Sequence, residues 1–427
     1  MDRRTFLAAL LLASLLTPAV RADDWPQWRG PKRDAVWGET GIITSFPAGG
    51  MKPRWRAAVG PGWSSPVVAG GRVYVTDAEL ARPKAKERVL CFDEATGKPL
   101  WSYVYDVAYP DWAFDQGPGR GPTATPLVVG GKVYALGNKG DLYCLSAAKG
   151  ELLWKKNLGT DYQVQEFAFN ASPLIEGKLL IVPIGSYPGA TGFVVALDRD
   201  SGKEAWKADT DGLTNSSPLA VTAGGERQVI VWSQGSVTSL DPATGKTYWR
   251  EPLKTPAAGA VATPVVDEDR LLVGGLMLKL APDKPAASVL WPVRAADRRP
   301  LSNTSTALLS GGHVFSANSS GELACLDAAT GKPVWQTDKV TDPKGGASIH
   351  LTPNGDAVFL YTDKGELIRA RLTGKGYEEF GRARLLEPTT PFGDQRKVAW
   401  PPPAYAGRCV FARNDKELVC VSLAAEP

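Results

Sequence analysis

The chain has few of the residues from which enzymes usually build their chemistry. Its 427 residues include 2 His, 3 Met and 5 Cys. The cysteines stand at 91, 144, 325, 409 and 420, and no two are adjacent. His313 and His350 lie far apart in sequence with no carboxylate at metal-ligand spacing, so each reads as a structural residue and no metal site is expected. There is no Gly-rich phosphate loop and no Gly-x-Ser-x-Gly elbow, which removes the common signatures of nucleotide binding and of serine hydrolases. Charge of one sign is also scarce. The formal net charge is +4, and three Arg and one Asp fall in the first 22 residues, so the remainder is nearly neutral. No basic run is present, which argues against nucleic acid as a partner.

Long apolar runs are confined to the N-terminus. Asp2-Arg-Arg-Thr-Phe-Leu7 leads into an apolar stretch ending near Leu16, followed by Val20-Arg-Ala22. This reads as an export signal over 1–22 with cleavage after Ala22. The Arg3-Arg4 pair before Phe6-Leu7 fits a twin-arginine signal, which implies export in the folded state, and an ordinary secretory signal is the alternative. The expected location is periplasmic or otherwise extracytoplasmic. The run is too short for a comfortable membrane span, and no Cys follows it, so neither a membrane span nor a lipid anchor is expected. Residues 23–50, with Trp25, Trp28 and Trp37, lack strand alternation and read as an ordered arm docked on the main body, since three exposed indoles would be costly in water.

What the chain has in quantity is Gly (45) and Pro (34), which indicates many tight turns between short strands. One phrase returns throughout. Asp327-Ala-Ala-Thr-Gly-Lys-Pro-Val-Trp335 has counterparts at Asp93–Trp101, Ser146–Trp154, Asp198–Trp206 and Asp241–Trp249. In each, an apolar strand ends, Asp or Ser opens a turn, Gly supplies a positive φ, and the returning strand carries a Trp. A second phrase precedes it: Ser64-Ser-Pro-Val-Val-Ala-Gly-Gly-Arg-Val-Tyr-Val75, with relatives starting at Ala124, Ala171, Ser216, Ala262 and Ser305. It reads as strand, Gly turn, strand, with Pro at the strand entrance where a missing N–H costs least.

Together the phrases define a four-stranded unit. Its aromatic station recurs at Trp55, Trp101, Trp154, Trp206, Trp249, Trp291, Trp335 and, substituted, Phe380, with a mean spacing of about 46 residues. The last unit stops after its third strand, and the missing Trp strand is found at Pro53-Arg-Trp-Arg-Ala-Ala-Val59. The expected fold is therefore all-β: an eight-bladed β-propeller of four-stranded antiparallel blades over 51–427, closed by an N-terminal strand that completes the last blade and removes the open edge.

The Asp-x-x-Thr-Gly-Lys-x-x-Trp phrase resembles the PQQ-type repeat of quinoprotein dehydrogenases and of the propeller lipoprotein of the outer-membrane β-barrel assembly machinery. The resemblance covers about residues 51–423. Asp24-Trp-Pro-Gln-Trp-Arg-Gly-Pro31 and Asn414-Asp-Lys-Glu-Leu-Val-Cys420 resemble a group of exported PQQ-like propellers, and the absence of any Trp-Asp dipeptide separates the chain from the WD40 type. The resemblance specifies a fold far more than an activity. A quinoprotein dehydrogenase would imply PQQ with Ca²⁺, an adjacent Cys pair, Glu, Asn and Asp ligands and an Asp base. The Cys pair is absent and the other residues cannot be matched to positions here, so no cofactor and no catalytic residue is assigned. Four cysteines (91, 144, 325 and 420) share one repeat station and read as buried packing residues, while Cys409 and Cys420 stand close enough in the last hairpin that a disulfide between them is open.

Function is expected in the long connections that leave each Trp strand for the next blade. Tyr103–Gly121 is rich in aromatics, and the connections together offer Trp63, Trp112, Asp115, Arg120, Glu166, Asn170, Asn215, Asn303 and Trp400 as ligand- or partner-binding candidates. The leading expectation is a monomeric scaffold that binds a protein partner or small ligand at this rim. A cofactor-dependent oxidoreductase is the alternative and an outer-membrane assembly role is the third.

Overall fold

A computed structural model describes residues 23–425 apart from 115–119, 165–168, 186–191, 213, 256–259, 293–300, 303, 319, 344–346 and 394–395. Eight four-stranded antiparallel sheets form an eight-bladed β-propeller. Blades 1 to 7 cover 67–107, 127–157, 174–210, 219–252, 265–291, 308–337 and 349–384. Blade 8 combines 404–422 with the strand Pro53–Ala58, which pairs with Glu417–Ser422 in the register Trp55↔Cys420 and Arg56↔Val419. The ring is thus closed as the repeat count requires. An extra hairpin, Thr390–Phe392 with Arg396–Val398, stands between blades 7 and 8.

The first strands are on the whole more buried than the fourth, as Val67–Ala69 and Pro99–Val107 illustrate. The first strands therefore face the axis and the fourth strands face solvent. The fourth strand has a bulge beside its Trp, which pairs with a small or apolar residue on the third strand. Cys91 faces Trp101, Cys144 faces Trp154, Cys325 faces Trp335 and Cys420 faces Trp55. All five cysteines are free and buried.

The Trp does not serve its own blade alone. Its indole lies on the turn Gly of the following blade, and its Nε1–H donates to a carbonyl there. Trp101 donates to Ala147 O (3.1 Å), Trp154 to Arg199 O (3.1 Å), Trp206 to Pro242 O (2.9 Å) and Trp291 to Ala328 O (3.0 Å). Trp55 donates to Glu94 O (2.8 Å), so the closing strand also locks blade 8 to blade 1. Blades 5 and 7 depart from this. The blade 5 turn contains no Thr-Gly, and Trp249 donates instead to Gln228 Oε1 in its own blade (2.9 Å). Trp335 donates to Thr373 O (2.8 Å), but the blade 7 turn glycine, Gly374, lies against His313 rather than an indole.

Blade 7 corrects the eighth aromatic. The register places Gly381 opposite Arg369, the station that Trp holds elsewhere, and Phe380 is the bulge residue beside it, under the guanidinium groups of Arg369 and Arg371. A Cβ at Gly381 would lie 3.4 Å from Cδ2 of Phe46. An aromatic ring from the N-terminal arm thus occupies the space beside the station that the strand leaves empty.

That arm crosses the axis. Trp25 bridges Val68 of blade 1, and Pro26 O accepts from Val128 N of blade 2. Arg33 donates to Ser172 O and Pro173 O at the entrance to blade 3 (3.0 and 2.9 Å). Trp28 Nε1 donates to Thr263 Oγ1 of blade 5 (2.8 Å), and Trp37 N donates to Pro353 O of blade 7. A short segment that touches the inner parts of blades 1, 2, 3, 5 and 7 must lie across the channel, so the arm plugs it.

Two measurements test these constraints. Deleting residues 51–60 should abolish the single cooperative unfolding transition; a truncated chain that melts like the full one would contradict closure by this strand. Gly245 and Gly225 both have positive φ (+73° and +75°), but a Cβ at Gly245 would meet Trp206 Cε3 at 2.5 Å while one at Gly225 meets nothing within 4 Å. Gly245→Ala should therefore cost about 2–5 kcal/mol, and Gly225→Ala about 1–2 kcal/mol, in denaturant unfolding. Equal losses would show that the turn conformation alone matters.

Candidate functional site

The residues just ahead of each first strand form a belt around the axis. Here the repeated Ser/Thr-Pro phrase acquires a structural reason. Ser65 N donates to Thr125 Oγ1, Thr125 N to Ser172 Oγ, Ser172 N to Ser217 Oγ and Thr263 N to Thr306 Oγ1, all at 2.9–3.0 Å. Each hydroxyl satisfies a buried backbone N–H of the preceding blade, which would otherwise be left unpaired. The belt binds blades to one another at the centre as the Trp–Gly contacts do at the periphery.

On one side of this belt the blade junctions converge on a cavity of ≈ 130 Å³. All eight junctions contribute to its wall. Trp63 comes from the junction of blades 8 and 1, Trp112 and Thr123 from 1 and 2, Asn170 and Ser172 from 2 and 3, and Asn215 and Ser217 from 3 and 4. Val261, Thr304, His350 and Trp400 with Pro402 continue the ring, and Trp28 of the arm completes the lining. Five of the nine residues singled out from the sequence, Trp63, Trp112, Asn170, Asn215 and Trp400, are therefore brought together. Asp115, Glu166 and Asn303 lie outside the described residues. Arg120 is placed elsewhere: its Nη1 lies 3.7 Å from Asp415 Oδ2, an ion pair that ties the blade 1–2 connection to the last blade. Trp28 and His350 are the largest of the lining residues that sequence reasoning did not place here.

The aromatic wall is held from behind. Trp63 stacks on Trp400 (5.2 Å, 27°), and Trp400 stacks on Phe392 of the extra hairpin (5.2 Å, 23°). Trp112, 48% exposed, stands in the short helical turn Asp111–Phe114. The connection that carries it is anchored by a buried carboxylate. Glu87 accepts from Tyr105 OH (2.5 Å), Tyr109 OH (2.6 Å) and Asn138 N (3.1 Å), and Asn138 Nδ2 donates onward to Gly121 O (2.6 Å). Burial pushes the Glu87 carboxyl above its ordinary range, and the two tyrosine hydroxyls counter part of that shift.

The polar wall is neutral. Asn170 Nδ2 donates to Asn215 Oδ1 (3.0 Å), joining two neighbouring junctions. His350 Nε2 lies 3.0 Å from Trp400 O, so this nitrogen carries the proton and Nδ1 is an acceptor. Burial lowers the His350 pKa to about 4, opposed by the bond to Trp400 and assisted by the nearby Arg29. The guanidinium groups of the arm are spent on carbonyls: Arg29 on Arg33 O and Asp34 O, Arg33 on Ser172 O and Pro173 O. Trp63 Nε1–H is buried and has no acceptor among the described residues. Among the described residues no carboxylate lines the cavity, and none of them form a group of three His, Cys, Asp or Glu that could hold a metal.

His350 makes the site sensitive to acid. Its folded pKa of about 4 lies below the ordinary 6.5, so between those values the unfolded chain binds the extra proton. The contribution of this group to stability is complete above pH 6.5 and is lost as pH falls towards 4. The difference in unfolding free energy between the native chain and His350→Asn should narrow over that range; a difference independent of pH would contradict a neutral, desolvated imidazole.

Comparison with known proteins fits this architecture. A family model described as "Outer membrane protein assembly factor BamB" matches residues 35–193, 85–277, 190–350 and 280–377. Curated relatives include the outer membrane protein assembly factor BamB of Burkholderia pseudomallei, 27% identical over 53% of this chain and 58% of that protein. The factor of the same name from Shewanella oneidensis is 22% identical over 72% of this chain and 65% of that protein. The chain thus spans somewhat less than two thirds of each of these relatives. The dehydrogenase subunit of the quinone alcohol dehydrogenase of Gluconobacter oxydans is 32% identical over 34% of this chain and 18% of that protein. Among solved structures, the quinohemoprotein alcohol dehydrogenase of Comamonas testosteroni superposes with a TM-score of 0.68 at 15% identity, covering 95% of this chain and 81% of the other, which is a likeness of fold. With matches that run through most of the propeller, the chain belongs to the PQQ-like repeat family whose model bears the BamB description.

Proposed function

We propose that this chain is an exported binding propeller that engages a ligand or an extended part of a partner protein through the axial cavity at its junction rim. The observation that carries the reading is the convergence of all eight junctions on one tryptophan-lined cavity whose opposite end the arm closes. Such a blind, largely apolar hollow with a few convergent polar groups is the usual form of a binding site. The N-terminal export signal read from the sequence, and the outer-membrane role in the names of its relatives, support an extracytoplasmic location.

Membership of the BamB-described family favours an assembly-factor role as the second reading. The quinoprotein reading is less well supported, because the residues present do not suit PQQ with Ca²⁺. No carboxylate lines the cavity among the described residues, and no adjacent Cys pair exists in the chain.

The experiment is a photo-crosslinking amino acid at position 112, where the native Trp is half exposed and its replacement costs the core little. A discrete adduct formed in the exporting cell, and weakened by Asn215→Ala, is expected. Export of a folded chain that yields no adduct would reject the rim as a binding surface. A parallel titration with PQQ and Ca²⁺, followed by quinone absorbance, should show no saturation; stoichiometric tight binding would favour the oxidoreductase instead.

A further inference from the structure

Given that the axial cavity is the ligand site, its hydrogen-bonding inventory narrows what can occupy it. We propose that it takes a neutral saccharide ring, stacked on the tryptophans and held by hydroxyl contacts to the amide and imidazole groups between them.

The aromatic part of the argument is geometric. Trp28, Trp63, Trp112 and Trp400 line a hollow of ≈ 130 Å³, enough for one ring and several displaced waters. An indole face is flat, apolar and electron-rich, and it matches the C–H face of a pyranose. Trp112 at 48% exposure stands where a second ring could follow the first towards solvent.

The polar part discriminates between ligand classes. Trp63 Nε1–H is a buried donor with no acceptor among the described residues, a situation that costs about 1–3 kcal/mol unless an oxygen meets it. The side-chain amide of Asn215, which lines the cavity, has its oxygen engaged by Asn170, so what it retains to offer is its N–H donors. His350 offers the opposite: with Nε2–H on Trp400 O, its Nδ1 only accepts. A hollow with fixed donors and a fixed acceptor spaced around its lining suits groups that do both, and the hydroxyl is that group. An anion would leave the acceptor unmatched, and a quaternary ammonium, although suited to indole faces, would leave every donor unmatched. Charge points the same way. No charged side chain lines the cavity among the described residues, and the nearest guanidinium groups are committed to backbone carbonyls of the arm and of blade 3.

The test is tryptophan emission of the purified full chain titrated with glucose, N-acetylglucosamine, cellotriose and chitotriose, with choline and benzoate as the cationic and anionic comparisons. A saturable change with at least one saccharide is expected, weakened about tenfold or more in Trp112→Ala and in Asn215→Ala, corresponding to at least about 1.4 kcal/mol. Unchanged melting of both variants would show that the loss is local. Absence of saturation with all four saccharides overturns the proposal, as does binding that both variants retain in full. Saturation by choline or benzoate alone overturns the saccharide and leaves the cavity as the ligand site. Failure of every probe together with absence of a crosslink at position 112 removes the site itself.

Discussion

Everything in this propeller depends on one steric agreement, between an indole at the end of one blade and a glycine at the turn of the next. The agreement is exclusive. A Cβ would lie 2.5 Å from the Trp ring at Gly97, Gly150 and Gly245, and 2.8–2.9 Å at Gly331 and Gly202, so no other residue can occupy the turn without displacing the Trp. Because the indole N–H also finds a carbonyl in that turn, the contact fixes rotation as well as distance. Repeated at five of the eight blade junctions, it helps set the angle between successive blades. A strand from the beginning of the chain can then complete the last blade and still present Trp55 correctly to Gly97.

A scaffold fixed at its periphery leaves its junctions free to vary. The belt of Ser and Thr hydroxyls holds the first strands together near the axis, and the residues just outside it are not bound by the repeat. That is why related junctions supply different chemistries to one hollow: indole, amide, hydroxyl, imidazole and an aliphatic side chain. Regular architecture and irregular lining are two consequences of the same division, since stability resides in positions that recur and recognition in positions that do not.

This division also explains what could be read from the chain. The turn-and-Trp phrase, the blade count and the closing strand were legible because each depends on local turn chemistry and period-two alternation. Trp63, Asn170, Asn215 and Trp400 were legible as junction residues, since any residue between a Trp strand and the next first strand must face a rim. Their meeting at the axis followed from symmetry. The misplacements arise where a contact depends on something other than the repeat. Phe380 occupies a bulge, and a one-residue shift there gives the aromatic station to Gly381 and its filling to Phe46. Arg120 pairs with Asp415 across some three hundred positions of sequence, a partnership that no local pattern announces. His350 looked structural because it begins a strand, but that strand is an innermost one, and its first side chains border the hollow.

The arm is the least repetitive part of the chain, and it couples the two functions of the fold. Trp25, Arg33 and Trp37 anchor it to blades 1, 3 and 7. Between those anchors Trp28 is carried across the axis to become part of the lining, its N–H held by Thr263 of blade 5. Arg29 and Arg33 are desolvated there, which lowers their pKa values to about 10 and about 9, and such burial is tolerated because Nε and Nη2 of Arg29 and both terminal nitrogens of Arg33 meet carbonyls. Any ligand that rests on Trp28 adds to that anchorage, and by linkage the docked arm raises the affinity for that ligand to the same degree. On the proposed reading of the cavity as a binding site, the plug contributes to that site through Trp28.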